Sequence, residues 1–402
     1  KGFHMNSVVR QMWEQNTDVV MVDTGNSYEG LCEYVGGKYI SYTDEHPITM
    51  NPFAIKREEL NIEKIGFLKN LIMLIWKGTQ GEVTKTEDRL VEQVITEYFD
   101  EYFVKKRIDN LSFNTFYEYS TVRIPTIIKE NNLAGIDLAA YNYLLKDFYK
   151  GGSHELTLNE NLDTKLFDET FIVFEIDSIK DDPLLFPLVT LIIMDVFIQK
   201  MRIKKNRKVL VIEEAWKAIA SPMMAEYIKY LYKTARKFWA SVGVVTQEIQ
   251  DIVGSPIVKE AIINNSDVVM LLDQAKFRER FDEIKAILGL TDVDCKKIFT
   301  INRLENKEGR SFFREVFIRR GSVGAVFGVE EPHECYMTYT TERAEKEALK
   351  LYKKELQCDH QHAIEAYCRD WELSGISKSL PFAQKVNQTG HVLHLTPHNQ
   401  SE

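Results

Sequence analysis

Hydrophobic positions change their period twice along this chain. Over Lys1-Gly-Phe-His-Met-Asn-Ser-Val-Val-Arg-Gln-Met-Trp13-Glu-Gln the apolar residues keep helical spacing, which predicts an amphipathic helix. Asp18-Val-Val-Met-Val-Asp23 is an aliphatic run closed by an acid, the pattern of a buried strand. Thr24-Gly-Asn-Ser-Tyr-Glu-Gly30 is turn-rich, and Lys38-Tyr-Ile-Ser-Tyr42 reads as a short strand. In Asn51-Pro-Phe53 the proline biases Asn51 towards an extended backbone. From about 55 to 149 the period becomes helical. Ile62, Ile65, Leu68, Ile72 and Ile75 recur at three- and four-residue spacing, and so do Leu90, Val94, Glu97 and Tyr98, with one polar exception. Stretches 113–128 and 136–148 repeat the pattern, so about four helices are predicted with no strand between them.

Strand periodicity then returns. Thr170-Phe-Ile-Val-Phe-Glu-Ile-Asp177 is followed by an apolar helical stretch, 187–198, and by the aliphatic run 209–212. A helix over 222–237 leads into Ser241-Val-Gly-Val-Val-Thr246-Gln247, a strand with polar residues at its tip. A further aliphatic run spans 267–272, and two short helices are predicted at 281–289 and 292–299. Residues 312–329 alternate and turn at Arg320-Gly321-Ser322, which predicts a β-hairpin. A charged helix is expected over 342–373. The tail from Ser377, with His391, His394 and His398, reads as polar and partly disordered.

Composition sets bounds. With 402 residues, 44% of them hydrophobic, the chain can bury one large core or two smaller ones. A net charge of −9 argues against a surface that is wholly a nucleic-acid glove, though not against a local basic patch. The five cysteines, Cys32, Cys295, Cys335, Cys358 and Cys368, are scattered and odd in number, which fits reduced thiols. No apolar run approaches the roughly 20 residues of a membrane-spanning helix; the nearest, 187–198, carries Asp195 and reads as a core helix.

Lys208-Val-Leu-Val-Ile-Glu213-Glu214-Ala-Trp216-Lys217 holds the strongest chemical signal. Two acids at the carboxyl end of a buried strand stand where open α/β sheets bind ligands. A nucleoside triphosphatase needs such a pair, one to hold Mg²⁺ through its water shell and one to polarise the attacking water. The plain alternative is a strand leaving into a solvated acidic turn. A lysine at a helix start, then helix, then a strand closed by Asp23, forms the trailing half of a phosphate-binding loop. The glycine-rich half would precede residue 1, and a solvated charge is the plain alternative for Lys1.

Two other groupings carry weaker signals. Cys358-x-His360-x-His362-x5-Cys368 offers four zinc-type ligands, but on one continuous helix residues two apart do not share a face. Arg202-Ile-Lys204-Lys205-Asn-Arg207-Lys208 packs five cations into seven residues. It reads as a solvated loop, or as a contact for DNA phosphates or anionic headgroups.

The order Lys1, Asp23, Asn51-Pro-Phe53, helical insertion, Glu213-Glu214-Ala-Trp216, Arg236-Lys237, Thr246-Gln247 resembles the ATPase domain of the large type IV secretion ATPases. In particular it resembles the TraG-type proteins of conjugative transposons, in the FtsK/HerA branch of the P-loop NTPases. The resemblance runs to about residue 373. It implies a RecA-like α/β P-loop core with a mainly parallel central sheet and an inserted all-α subdomain. Expected divisions are 1–55 and 151–335 for the core and its hairpin, 56–150 for the insertion, 336–376 for a C-terminal helix and 377–402 for a tail.

The resemblance also implies roles. Lys1 matches the lysine that contacts the β/γ-phosphates. Gly2 stands where the motif has Ser or Thr to ligate Mg²⁺, and it has no hydroxyl. Glu213 matches the Walker B aspartate that holds Mg²⁺ through water, and Glu214 the catalytic glutamate. Asp23 joins the nucleotide-binding set. Gln247 matches the γ-phosphate sensor, and Arg236 and Lys237 a basic pair reaching across a subunit boundary. The implied cofactors are ATP and Mg²⁺. The implied partners are a homo-hexamer, secretion-channel components at the inner membrane, and DNA or a relaxase–DNA complex. The implied place is cytoplasmic and peripheral to that membrane. An alternative is a HerA-like DNA-translocating pump or helicase; another is a nucleotide-binding scaffold weakened by Gly2.

Overall fold

A computed structural model describes residues 1–161, 163–214, 222–246, 262–303 and 313–393. The chain divides into two compact units, one of Lys1–Val19, Gly25–Tyr39 and Ser266–Glu402, the other of Val20–Thr24 and Ile40–Asn265.

In chain order the elements begin with α1 (Gly2–Glu14), β1 (Thr17–Asp23), α2 (Glu29–Tyr34) and β2 (Lys38–Ser41). Four helices follow: α3 (Ile62–Lys77), α4 (Lys85–Phe103), α5 (Phe113–Asn131) and α6 (Leu138–Leu145). Asn61, Thr84, Ser112 and Asp137 cap them, each side chain accepting from an amide in the first turn. Then come α7 (Glu155–Asn159), β3 (Phe171–Glu175), α8 (Leu185–Ile203), β4 (Arg207–Glu213), α9 (Pro222–Ala235) and β5 (Ala240–Val245).

The second unit is built on the five-stranded sheet, ordered β2-β3-β1-β4-β5. β4 and β5 run parallel, Lys208 opposite Ala240 and Glu213 opposite Val245. Just beyond β3 the Ile176 amide donates to the Asp23 carbonyl at 3.0 Å, and just beyond β2 the Tyr42 amide donates to the Glu175 carbonyl at 2.8 Å. These strands therefore finish at one edge, as parallel strands must. Every residue of β1 is buried, whereas β5, at the end of the sheet, is half-exposed. α8 is buried almost throughout, as its apolar sequence predicts, and Asp195 within it is neutralised by Lys64 of α3.

No strand interrupts α3 to α6. They are not an independent core, since their apolar faces and those of α8 and the sheet form one continuous cluster. Asn51-Pro-Phe53 joins the parts: Asn51 Nδ2 donates to the Leu111 carbonyl at 2.9 Å, and the fully buried Phe53 ring stacks on Phe116 with centroids 4.8 Å apart. Glu97, the polar residue on the apolar stripe of α4, pairs with Arg123 of α5 at 2.6 Å.

The first unit carries β6 (Val268–Leu271), α10 (Phe281–Leu288), α11 (Asp292–Ile298), β7 (Arg314–Arg320) and β8 (Val323–Val329). The expected hairpin is present, with Gly321 at φ 58° in its turn. β6 does not extend the central sheet; it pairs antiparallel with β7 in a separate three-stranded sheet. α12 (His333–Tyr339), α13 (Arg343–Leu356), α14 (His360–Leu373) and α15 (Ser379–Thr389) complete it.

Two expectations fail here. The single charged helix over 342–373 is two helices, because Gln357 turns left-handed at φ 47° and Asp359 caps a new start by accepting from the His362 amide. The tail from Ser377 is not all polar coil: α15 buries Phe382, Ala383 and Val386 in a cluster with Tyr367 and Trp371. His394 and His398 lie outside the described residues. Among the described residues no helix is long and apolar enough to cross a membrane. No three His, Cys, Asp or Glu side chains among them stand together as metal ligands, and Cys368 is buried apart from the exposed His362.

Candidate nucleotide site

The second unit gathers acids at the carboxyl edge of its sheet. Asp23, Glu175 and Glu213 close β1, β3 and β4, three neighbouring strands, and are 1%, 3% and 3% exposed. An aliphatic strand buries its own backbone in the ladder, so its first polar residue emerges at the sheet's rim, where loops leave room for a ligand. Glu175 Oε1 accepts from the Asp177 amide at 2.8 Å, which holds that carboxylate against its own loop.

Glu214 follows at φ 49°, a left-handed backbone that a non-glycine residue adopts at a cost of about 1–3 kcal/mol. That kink turns the chain off the strand axis immediately after Glu213. Glu213 faces Val245 at the end of the β4–β5 register, and the next residues are Glu214 and the half-buried Thr246. Gln247, with Ala215, Trp216 and Lys217, lies outside the described residues.

Arg236 and Lys237 occupy a 3₁₀ turn between α9 and β5, and both are exposed. The Lys208 amide donates to the Trp239 carbonyl at 3.0 Å, which ties this turn to the start of β4. From there to Glu213 is about 16 Å of strand, so the basic pair stands on the edge opposite the acids.

In the first unit, Lys1 is exposed and caps α1, its carbonyl accepting from the Met5 amide at 3.1 Å. Gly2 opens the helix, where unpaired amides and the helix dipole favour an anion. Two residues that pattern reading passes over matter here. Glu175 ends the same aliphatic-then-acid run as Asp23 and Glu213, and that run was its signal. Ser27, in the turn after β1, lies beside Gly2, and nothing in its local sequence marks it.

The profile of the TraG P-loop domain matches residues 1–371. The chain belongs to that family. Among curated proteins, TraC of Escherichia coli K12 is 24% identical over 294 residues, covering 69% of this chain and 31% of TraC. The chain thus spans about a third of that relative's length. Among solved structures, VirB4 of Thermoanaerobacter pseudethanolicus superposes with a TM-score of 0.60 at 20% identity, over 83% of this chain and 87% of VirB4. The plasmid coupling protein TrwB, solved with the non-hydrolysable ATP analogue ADPNP, gives 0.51 at 12% identity over 81% of both chains. Another TrwB structure contains ADP and Mg²⁺ and gives 0.52 at 11% identity, over 82% of this chain and 81% of TrwB. At these identities the likeness speaks for the fold. The TraG P-loop domain is thus a RecA-like α/β core with a parallel central sheet and helices inserted between β2 and β3.

Proposed function

We propose that this TraG P-loop domain is the ATPase motor that energises conjugative DNA transfer by type IV secretion. The observation that carries the reading is the rim of buried acids, with Glu213 at the end of β4 and Glu214 kinked beside it. Carboxylate oxygens are the hard donors that Mg²⁺ takes, so the acids of the second unit suit that ion; the start of α1, in the first unit, offers amides to phosphate. Bound there, Mg²⁺ and ATP would supply the phosphoryl group and the charge neutralisation.

In this reading Lys1 meets the β/γ-phosphates, Gly2 opens the phosphate-binding helix, and Glu213 holds Mg²⁺ through water. Asp23 shapes the metal's surroundings. Glu214 accepts the proton of the attacking water, and Gln247 senses the γ-phosphate. Arg236 or Lys237, too far along β4 to serve its own acids, reaches the γ-phosphate of a neighbouring subunit in a homo-hexamer. Residues 56–150 are the inserted helical subdomain for partner or substrate contact, flanked by core segments 1–55 and 151–335. Docking to channel components at the inner membrane, from the cytoplasmic side, and handling of DNA or a relaxase–DNA complex complete the proposal.

The test is hydrolysis of Mg²⁺–ATP by the intact protein, abolished by Glu213→Ala; a wild type without turnover, or an active Glu213→Ala, refutes the reading. Salt-sensitive stimulation by DNA would favour a HerA-like translocating pump. Nucleotide binding without turnover would favour a scaffold.

A further inference from the structure

Gly2 poses a chemical problem for the reading above, on which this inference rests. The position after the phosphate-binding lysine normally supplies a hydroxyl to Mg²⁺, and glycine has none. The turn that follows β1 brings a hydroxyl to the same place. A Cβ built on Gly2 would lie 3.6 Å from Ser27 Oγ and 3.6 Å from Ser27 Cβ, ordinary van der Waals contact. Ser27 thus lies against the helix start, within van der Waals reach of the point where a Gly2 side chain would begin.

The arrangement is pinned. Asn6, fully buried one turn into α1, donates one amide hydrogen to the Gly2 carbonyl at 2.9 Å and the other to the Ser27 carbonyl at 2.9 Å. Both donors are used, so the orientation of the amide is determined. Its Oδ1 is buried and has no hydrogen-bond partner among the described residues. Buried acceptors are normally paired, so this oxygen can still take a donor from outside the protein, such as the hydration shell of a metal. Asn26, at φ 52°, and Gly25, at φ 156°, bend the turn so that Ser27 faces back to α1.

We propose that Ser27 supplies the Mg²⁺-ligating hydroxyl that Gly2 lacks, with Asn6 as the positioning residue that clamps it to the start of α1. The metal ligand is thereby moved from the phosphate-binding helix to the turn after β1, on the same side of the helix start.

The test reads binding, not turnover. In the intact protein, the affinity for a fluorescent ADP is measured with Mg²⁺ and with EDTA for wild type, Ser27→Ala, Gly2→Ser and the double variant. Mn²⁺ binding by electron paramagnetic resonance gives a second readout. Expected is a wild-type gain with Mg²⁺ on the order of tenfold, lost in Ser27→Ala without change in EDTA, and restored in the double variant. Ser27→Ala with an undiminished Mg²⁺ gain overturns the assignment alone. Equal loss with and without metal, unrescued by Gly2→Ser, makes Ser27 a purely structural residue and also overturns it. A wild type that binds no nucleotide in either condition overturns the ATPase reading and this assignment together.

Discussion

The Lys64 ammonium lies 2.9 Å from the Asp195 carboxylate, with both side chains more than nine-tenths buried. The pair joins α3 of the inserted helices to α8 of the core, and Gln199 Nε2 adds a donor to Asp195 at 2.8 Å. Removing one partner leaves a buried charge, whereas removing both leaves an apolar contact. Lys64→Ala is expected to lose about 3–5 kcal/mol of stability in urea unfolding. Lys64→Met with Asp195→Leu should recover most of that loss. A double variant no more stable than the single would show that the pair contributes more than charge compensation.

Glu97 and Arg123 tie α4 to α5, and acid should loosen them. The hydrogen bond from Arg123 holds the Glu97 carboxyl below its ordinary value of 4.5, against a smaller opposing effect of burial. A depressed folded-state pKa means that the contribution is fully present above 4.5 and is lost as pH falls through the lower, folded value. The stability difference between wild type and Glu97→Gln should therefore be constant near neutrality and shrink in acid. A difference that stays level from pH 7 down to about pH 3 would refute this linkage.

Glu214→Gln preserves size but cannot accept a proton. Turnover of the intact protein should fall by a factor on the order of 10² or more, with ATP binding retained. Wild-type turnover in this variant would move the base elsewhere and undo the assignment of β4 as the catalytic strand.

Arg236 sits on the edge opposite the acids of its chain, and the role proposed for it is therefore in trans. Arginine's fixed charge and planar fork suit the γ-phosphoryl oxygens of a neighbour. Chains carrying Arg236→Ala and chains carrying Glu214→Gln, each inactive alone, should regain some ATPase activity when mixed. Some interfaces then pair an intact base with an intact arginine. Full activity in Arg236→Ala passes the role to Lys237, and full activity in both single variants ends the claim.

The helices 62–77, 85–103 and 113–131 are legible because each shows three or more apolar residues at helical spacing behind a polar cap. β1 and β4 are legible because four aliphatic residues in a row, closed by an acid, have few other ways to be buried. The break at Gln357 is not, since no glycine or proline marks it and the left-handed turn is held by packing of α13 and α14 on one cluster. α15 hides for a related reason: Phe382, Ala383 and Val386 are too few to set a period until Tyr367 and Trp371 give them a surface.

By itself the sequence determined most of the element types, the buried strands and which residues could carry phosphate chemistry, because period, capping and side-chain chemistry are local properties. Only the tertiary structure decided neighbours. It set β3 beside β1, adding Glu175 to the rim, and it sent β6 to a separate antiparallel sheet although its residues suit either. It laid the turn after β1 across the start of α1, bringing Ser27 to a glycine 25 residues away in the chain. Such pairings depend on which faces the whole chain can bury at once, and no local window of residues contains that information.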